Sequence, residues 1–208
     1  TTDILSAVAY AIGIQTDGKI VAAGLSSYST TNWDFTVVRY TNSVSPACTL
    51  PPSDMVLWLT GDNNTNDISG LGNNGTLQGS ATYEAPGKVG NAFAITAAAD
   101  YAEVNDSSSL NFGYGDISID AWIHTTNTDR ATVIDKRTGT NTNPVGYTLF
   151  LWQGLLGFQL SDGSTFLNNN SPGPAINDGN WHHVAVTVDR TSTAGGSLYI
   201  DGVLNLTF

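Results

Sequence analysis

The chain has 208 residues, of which 12% are charged, and a formal net charge of −11 at pH 7. Its seven Lys and Arg are scattered along the chain, with Lys136-Arg137 the one adjacent pair, and cannot neutralise a phosphate track, which argues against nucleic acid and anionic membranes as partners. Polarity comes instead from 26 Thr, 19 Asn and 18 Ser, poor helix-interior residues that argue against a helical protein, while an apolar share of 40% argues against wholesale disorder.

Residues 1–44 hold two apolar runs that meet at Asp17-Gly18, then a third run, Asp34–Tyr40, after a Ser/Thr-rich stretch. A segment of this length is too short to bury a useful core alone. Residues 45–54 carry three of the seven prolines. Proline fixes φ and cannot donate to a strand ladder, so this stretch reads as a linker to a second domain over 55–208. The acidity belongs to that second region: residues 50–208 hold five basic and fifteen acidic groups, net −10, against net −1 before them. Sixteen Asp against two Glu suit loops and metal sites better than helix faces. In 117–124, Ile117, Ile119, Ala121 and Ile123 share one face, and Ser118, Asp120, Trp122 and His124 the other. In 182–189, Val184, Val186 and Val188 oppose His183, Ala185 and Thr187. Both patterns are strands with one apolar face. Asp-Gly pairs at 17–18, 162–163, 178–179 and 201–202 supply hairpin chemistry. The Gly/Thr/Asn-rich stretch 138–146 is expected to be a variable loop, and Asn168-Asn169-Asn170 to lie in another. No window keeps a helical period for three turns, so the fold class is all-β. No apolar run approaches the ~18 residues of a membrane span. Residues 1–15 lack the basic start and cleavage pattern of a signal peptide. Cys48, the single cysteine, excludes an intrachain disulfide.

Two resemblances follow from particular motifs. Ala9–Gly24, with Gln15-Thr16-Asp17-Gly18-Lys19-Ile20 at its centre, and Asp34-Phe35-Thr36-Val37-Val38-Arg39-Tyr40 resemble one unit of a bacterial β-propeller repeat. A single blade cannot bury both faces without neighbours, so residues 1–44 are expected to be a fragment of a propeller. The second region carries Val56-Leu57-Trp58-Leu59, Gly61–Asp67, Gly70–Leu77 and Pro86–Phe93, then Asp100–Val104, Ile117–Ile123, Asp178–Val186 and Leu198–Gly202. Residues 55–208 thus resemble a laminin-G-like, concanavalin-A-like jelly-roll β-sandwich of secreted bacterial multidomain proteins. Thr96 and Ala97 depart from the Asp and Gly usual to that family before Asp100. The family also continues for one or two strands beyond the point matching Phe208, so the chain is expected to be a fragment at both ends.

A glycosidase on such a fold needs two carboxylates flanking the scissile bond. Glu84 and Glu103 lie in no such pattern, and the chain is expected to be non-catalytic. His182 and His183 point to opposite faces of a strand and cannot share one metal. Asp62-Asn63-Asn64-Thr65-Asn66-Asp67 offers alternating oxygen ligands suited to Ca²⁺, with Asp62 and Asp67 as ligands and Asp100 as a further candidate; turns capped by the same side chains are the alternative. For a sugar ligand, aromatic faces and planar amides are needed, which points to Trp152, Tyr147 and Asn168. Trp58, Trp122 and Trp181 match framework positions and are assigned to the core. The resemblance implies a binding or adhesion module, extracellular or at the cell surface, with a glycan or cell-surface protein as partner. A spacer domain, or an accessory domain beside a hydrolase in the parent chain, is the alternative.

Overall fold

The structure, a computed structural model, describes residues 6–14, 20–27 and 33–40 as backbone strands, and residues 52, 54–140 and 142–208 with their side chains. It divides into two units, Thr1–Ser53 and Asp54–Phe208. The first holds β1 (Ser6–Ile14), β2 (Ile20–Ser27) and β3 (Trp33–Tyr40) as an antiparallel sheet in that order. The Asp17-Gly18 turn, most of the proline-rich stretch and Cys48 lie outside the described residues.

The second unit opens with two short antiparallel pairs. β4 (Gly75–Gln78) pairs with β7 (Tyr101–Val104), and β5 (Thr82–Glu84) with β6 (Ala92–Ala94). Two four-stranded antiparallel sheets follow. One contains β8 (Ile117–His124), β13 (Trp181–Val188), β14 (Gly196–Ile200) and β15 (Val203–Thr207), in the order β15-β14-β13-β8. The other contains β9 (Ala131–Thr140), β10 (Asn143–Trp152), β11 (Leu155–Asp162) and β12 (Phe166–Asn170), in the order β12-β11-β10-β9. The alternation read from the sequence sets which face turns inward. Val184, Val186, Leu198 and Ile200 of the first sheet meet Leu149, Leu151, Leu156 and Phe158 of the second in one buried cluster. The unit is all-β, as a jelly-roll sandwich requires.

Two expected loops are strands. Residues 138–140 and 143–146 form the paired ends of β9 and β10, with Thr138 opposite Val145 and Thr140 opposite Asn143. Thr and Val are β-branched, and their strand preference outweighs the Gly and Asn between them. Asn168-Asn169-Asn170 closes β12, an edge strand laddered on one side only, to β11. At an edge, a polar side chain need not be fitted between two neighbouring strands. Between β10 and β11 the chain reverses in two residues, Gln153 (φ 52°) and Gly154 (φ 80°), the positive-φ pair of a type I′ hairpin turn.

Phe158 is completely buried at the junction of the two sheets. Phe158→Ala removes the ring from a close-packed interior and is expected to lower unfolding free energy by about 3–5 kcal/mol, measured as the shift in urea midpoint at constant slope.

Candidate functional site

Strand β10 supplies both the core and an open face. Tyr147, Leu149 and Leu151 point into the core, so Phe150 and Trp152 point outward. The register then lines up the partners: Thr148 stands opposite Gln159, which stands opposite Asn168, and Phe150 stands opposite Gly157, which stands opposite Asn170. On the other side of β10 the pairing with β9 slips by one residue, from Leu149–Ile134 to Phe150–Thr132. Such a bulge bends the strand and increases its twist. Arg130, just ahead of β9, lies with its guanidinium 4.7 Å from the centre of the Phe150 ring. Arg130, Phe150, Trp152, Gln159, Asn168 and Asn170 line a groove of about 300 Å³ on this outer face, at the lower end of small-ligand sites. Gly157 floors it by having no side chain. A Cβ there would come within 2.6 Å of both the Phe150 ring and the Asn170 amide oxygen.

Trp152 and Asn168, two of the three expected ligand-binding residues, therefore come together, and Trp152 is 47% exposed at the mouth of the groove. Tyr147, the third, does not. It is buried, 7% exposed, packed on Phe112 with ring centres 5.4 Å apart, and its hydroxyl donates to the Leu110 carbonyl at 3.3 Å. Burial pushes its phenol pKa up to about 12. Tyr147 and Trp152 are five residues apart on one strand, an odd spacing that puts them on opposite faces. Arg130 and Gln159 were not singled out in the sequence, and Asn170 only as part of the Asn168-Asn169-Asn170 run. The signal was there for Gln159, which follows the core residue Phe158 in a strand.

The expected calcium ligands are placed as follows. The Asp67 carboxylate accepts the amides of Trp58, Ser69 and Asn73 (each 2.9 Å) and the Ser69 hydroxyl (2.8 Å). Burial opposes its charge, yet these donors hold its pKa below the usual carboxylate value. Asp100, buried, accepts the Ser80 amide and hydroxyl at 2.7 and 2.8 Å and the amides of Ala97 and Thr96 at 2.8 and 3.1 Å. The Ser80 amide and hydroxyl above all, with the Ala97 and Thr96 amides, hold its pKa down to about 2. Asp62 accepts one amide, that of Asn91, at 2.9 Å. Among the described residues no three His, Cys, Asp or Glu side chains are grouped as a metal site. Asp67 and Asp100 thus each accept hydrogen bonds from several loop amides and a hydroxyl, the kind of contact that the capping alternative calls for.

The framework tryptophans are not all core. Trp122 is 45% exposed on the outer face of β8, with the His183 ring 5.2 Å away and tilted by 57°, and Lys88 Nζ 4.3 Å from its ring centre; Trp58 is also exposed. His183 faces Asp120 at 3.2 Å. His182 points the other way, with Nδ1 2.8 Å from Asp201 and Nε2 3.1 Å from Asp178.

The model of the Concanavalin A-like lectin/glucanases superfamily matches residues 96–208, more than half of the chain. The chain belongs to this superfamily. No curated protein matches the sequence. Among solved structures, the fold is similar to the binding domain of Paraclostridial Mosquitocidal Protein 1, at 17% identity and TM-score 0.55, covering 69% of this chain and 37% of that one. It is similar to the binding domain of botulinum neurotoxin DC in complex with rat synaptotagmin II, at 21% identity and TM-score 0.56, covering 74% and 39%. A structure of botulinum neurotoxin type C, whose cell entry is described as dependent upon interaction with two ganglioside molecules, matches at 21% identity and TM-score 0.51, covering 74% and 38%. The chain thus spans under two fifths of the length of these three relatives. Among the described residues no helix is long and apolar enough to cross a membrane.

The folded pKa of Asp100, about 2, lies below its ordinary value of 3.8. The stabilisation it brings is therefore full above pH ~4 and disappears as pH falls towards 2. Asp100→Asn is expected to lower the urea midpoint at pH 7 and to flatten its fall between pH 4 and pH 2. Parallel titration slopes in wild type and variant would count against this role.

Proposed function

We propose that residues 55–208 form a non-catalytic glycan-binding module of an extracellular or cell-surface protein. The observation that carries this reading is the convergence of Trp152 and Asn168 on one open sheet face, with Gln159 and Asn170 beside them. An exposed indole offers a flat apolar surface to the C–H face of a sugar ring. The neighbouring side-chain amides donate to and accept from ring hydroxyls in fixed planes. All these groups stand on laddered strands, so little conformational freedom is lost when a ligand settles on them. The similar solved structures support the reading, since two are described as binding domains and the third in connection with two ganglioside molecules. Residues 1–44 we read as one blade of a β-propeller, on the strength of the motif around Asp17-Gly18.

Retention of the full chain on a panel of immobilised polysaccharides tests the module. Trp152→Ala is expected to weaken binding to the retained glycan at least tenfold, about 1.4 kcal/mol, while Val203→Thr, exposed on the opposite sheet, leaves it unchanged. Absence of retention by folded protein across the panel would replace this reading by a spacer or protein-binding domain.

Calcium is a separate proposal, restricted to Asp62, whose carboxylate accepts a single hydrogen bond among the described residues. Melting in Ca²⁺ and in chelator tests it. An ion at 100 times its dissociation constant adds about 2.7 kcal/mol to stability, and identical midpoints would dismiss it.

A further inference from the structure

We propose that the groove selects sugars bearing a carboxylate, on a chain otherwise neutral; this rests on the glycan-binding reading above. The lining holds one cation, Arg130, and no carboxylate. Arg130 stacks on Phe150 and forms no ion pair among the described residues. A guanidinium lying over an aromatic ring, with no anion paired to it among the described residues, presents a fork of N–H donors that can meet a carboxylate with two parallel hydrogen bonds.

Gln159 adds to the same polarity for an independent reason. Its Oε1 accepts a hydrogen bond from Arg137 Nη1 at 2.5 Å. Arg137 is in turn bound by Asp135, Nε to Oδ1 at 2.8 Å and Nη2 to Oδ2 at 2.5 Å. Because an arginine only donates, the orientation of the amide is fixed: oxygen towards Arg137, Nε2 away from it. Gln159 therefore offers the ligand donors, while the charge of Arg137 is already matched by Asp135. The result is a donor-rich floor with one unmatched positive charge.

The rest of the domain limits how much negative charge the ligand carries. With fifteen acidic groups against five basic ones over residues 50–208, the net field of the domain repels a polyanion. One carboxylate per several neutral sugars, as in an oligosaccharide with a single uronic or sialic acid, satisfies Arg130 without adding that repulsion.

The test uses the full chain and oligosaccharides carrying one uronic or sialic acid, each compared with its carboxyl-reduced form and with a counterpart carrying sulfate in its place. Wild type is expected to bind the carboxylate form at least tenfold more tightly than the reduced form. In Arg130→Gln and in Gln159→Glu, which turns the amide donor into an acceptor, the ratio is expected to fall to about one. Trp152→Ala is expected to weaken both forms together. Equal binding of both forms by wild type overturns the carboxylate inference and leaves the glycan module standing. Tighter binding of the sulfated form likewise overturns the carboxylate reading. Binding of no sugar in any arm overturns the module and the inference alike.

Discussion

Strand β10 is hydrogen-bonded on both edges, to β9 and β11, and its neighbours on both faces depend on that fixed register. On the inward face Leu149 and Leu151 close the sandwich against Val184, Val186 and Leu198. On the outward face Phe150 and Trp152 build one wall of the groove. A slip of one residue would exchange the two sets, burying an indole and a guanidinium partner and exposing leucines. The core therefore fixes the groove: the apolar area buried inward is what makes any other register of the outward residues costly. The two-residue turn at Gln153-Gly154 sets the register at one end of the strand, directly after Trp152.

The aspartate-rich composition has a second, structural use. Asp67 and Asp100 each gather several backbone amides of a loop, and Asp162 does the same in the turn between β11 and β12, accepting the amides of Ser164 and Thr165 at 2.8 and 2.7 Å. In a chain with few charges and many Gly and Asn, loops have no helix or ladder to satisfy their N–H groups. A carboxylate can accept from several of them at once, which a hydroxyl does less well. The oxygen-rich Asp62–Asp67 stretch, which reads as a candidate metal loop in sequence, carries such contacts too. Asp67 answers the same electrostatic need with amide donors.

Much of the fold was legible because period-2 alternation reports directly on which face is buried. Ile117–His124 and the Val184-Val186-Val188 row lie where the alternation puts them. The same rule applied to β10 would have separated Tyr147 from Trp152. The groove itself was legible only in part. Trp152 and Asn168 are the residue types a sugar needs, but Arg130, Gln159 and Asn170 join them through cross-strand register, a relation between segments that no local pattern prints. Trp122 illustrates the opposite error. A position typical of a fold's framework still lies on the outward face of its strand, where Lys88 and His183 cover it only partly.

Charge is distributed so that stabilising and ligand-facing groups stay apart. His182 bridges Asp178, ahead of β13, and Asp201, in the turn after β14; the hydrogen bond to Asp201 raises its pKa above 6.5 in spite of burial, with Asp178 adding to the effect. Raised in the folded state, this group stabilises fully below its unfolded value and loses that contribution as pH climbs through its folded one. The loop carboxylates behave oppositely: Asp100, lowered to about 2, loses its contribution on the acid side of 3.8. The two sets are thus intact together in the interval from roughly pH 4 to 6.5. None of these groups belongs to the groove, whose one cation is stacked on Phe150 rather than paired with an aspartate. Among the described residues Lys136 is paired with Asp106 and Arg137 with Asp135, while Arg130 has no such partner; on the carboxylate proposal, that difference is what leaves one positive group for the ligand.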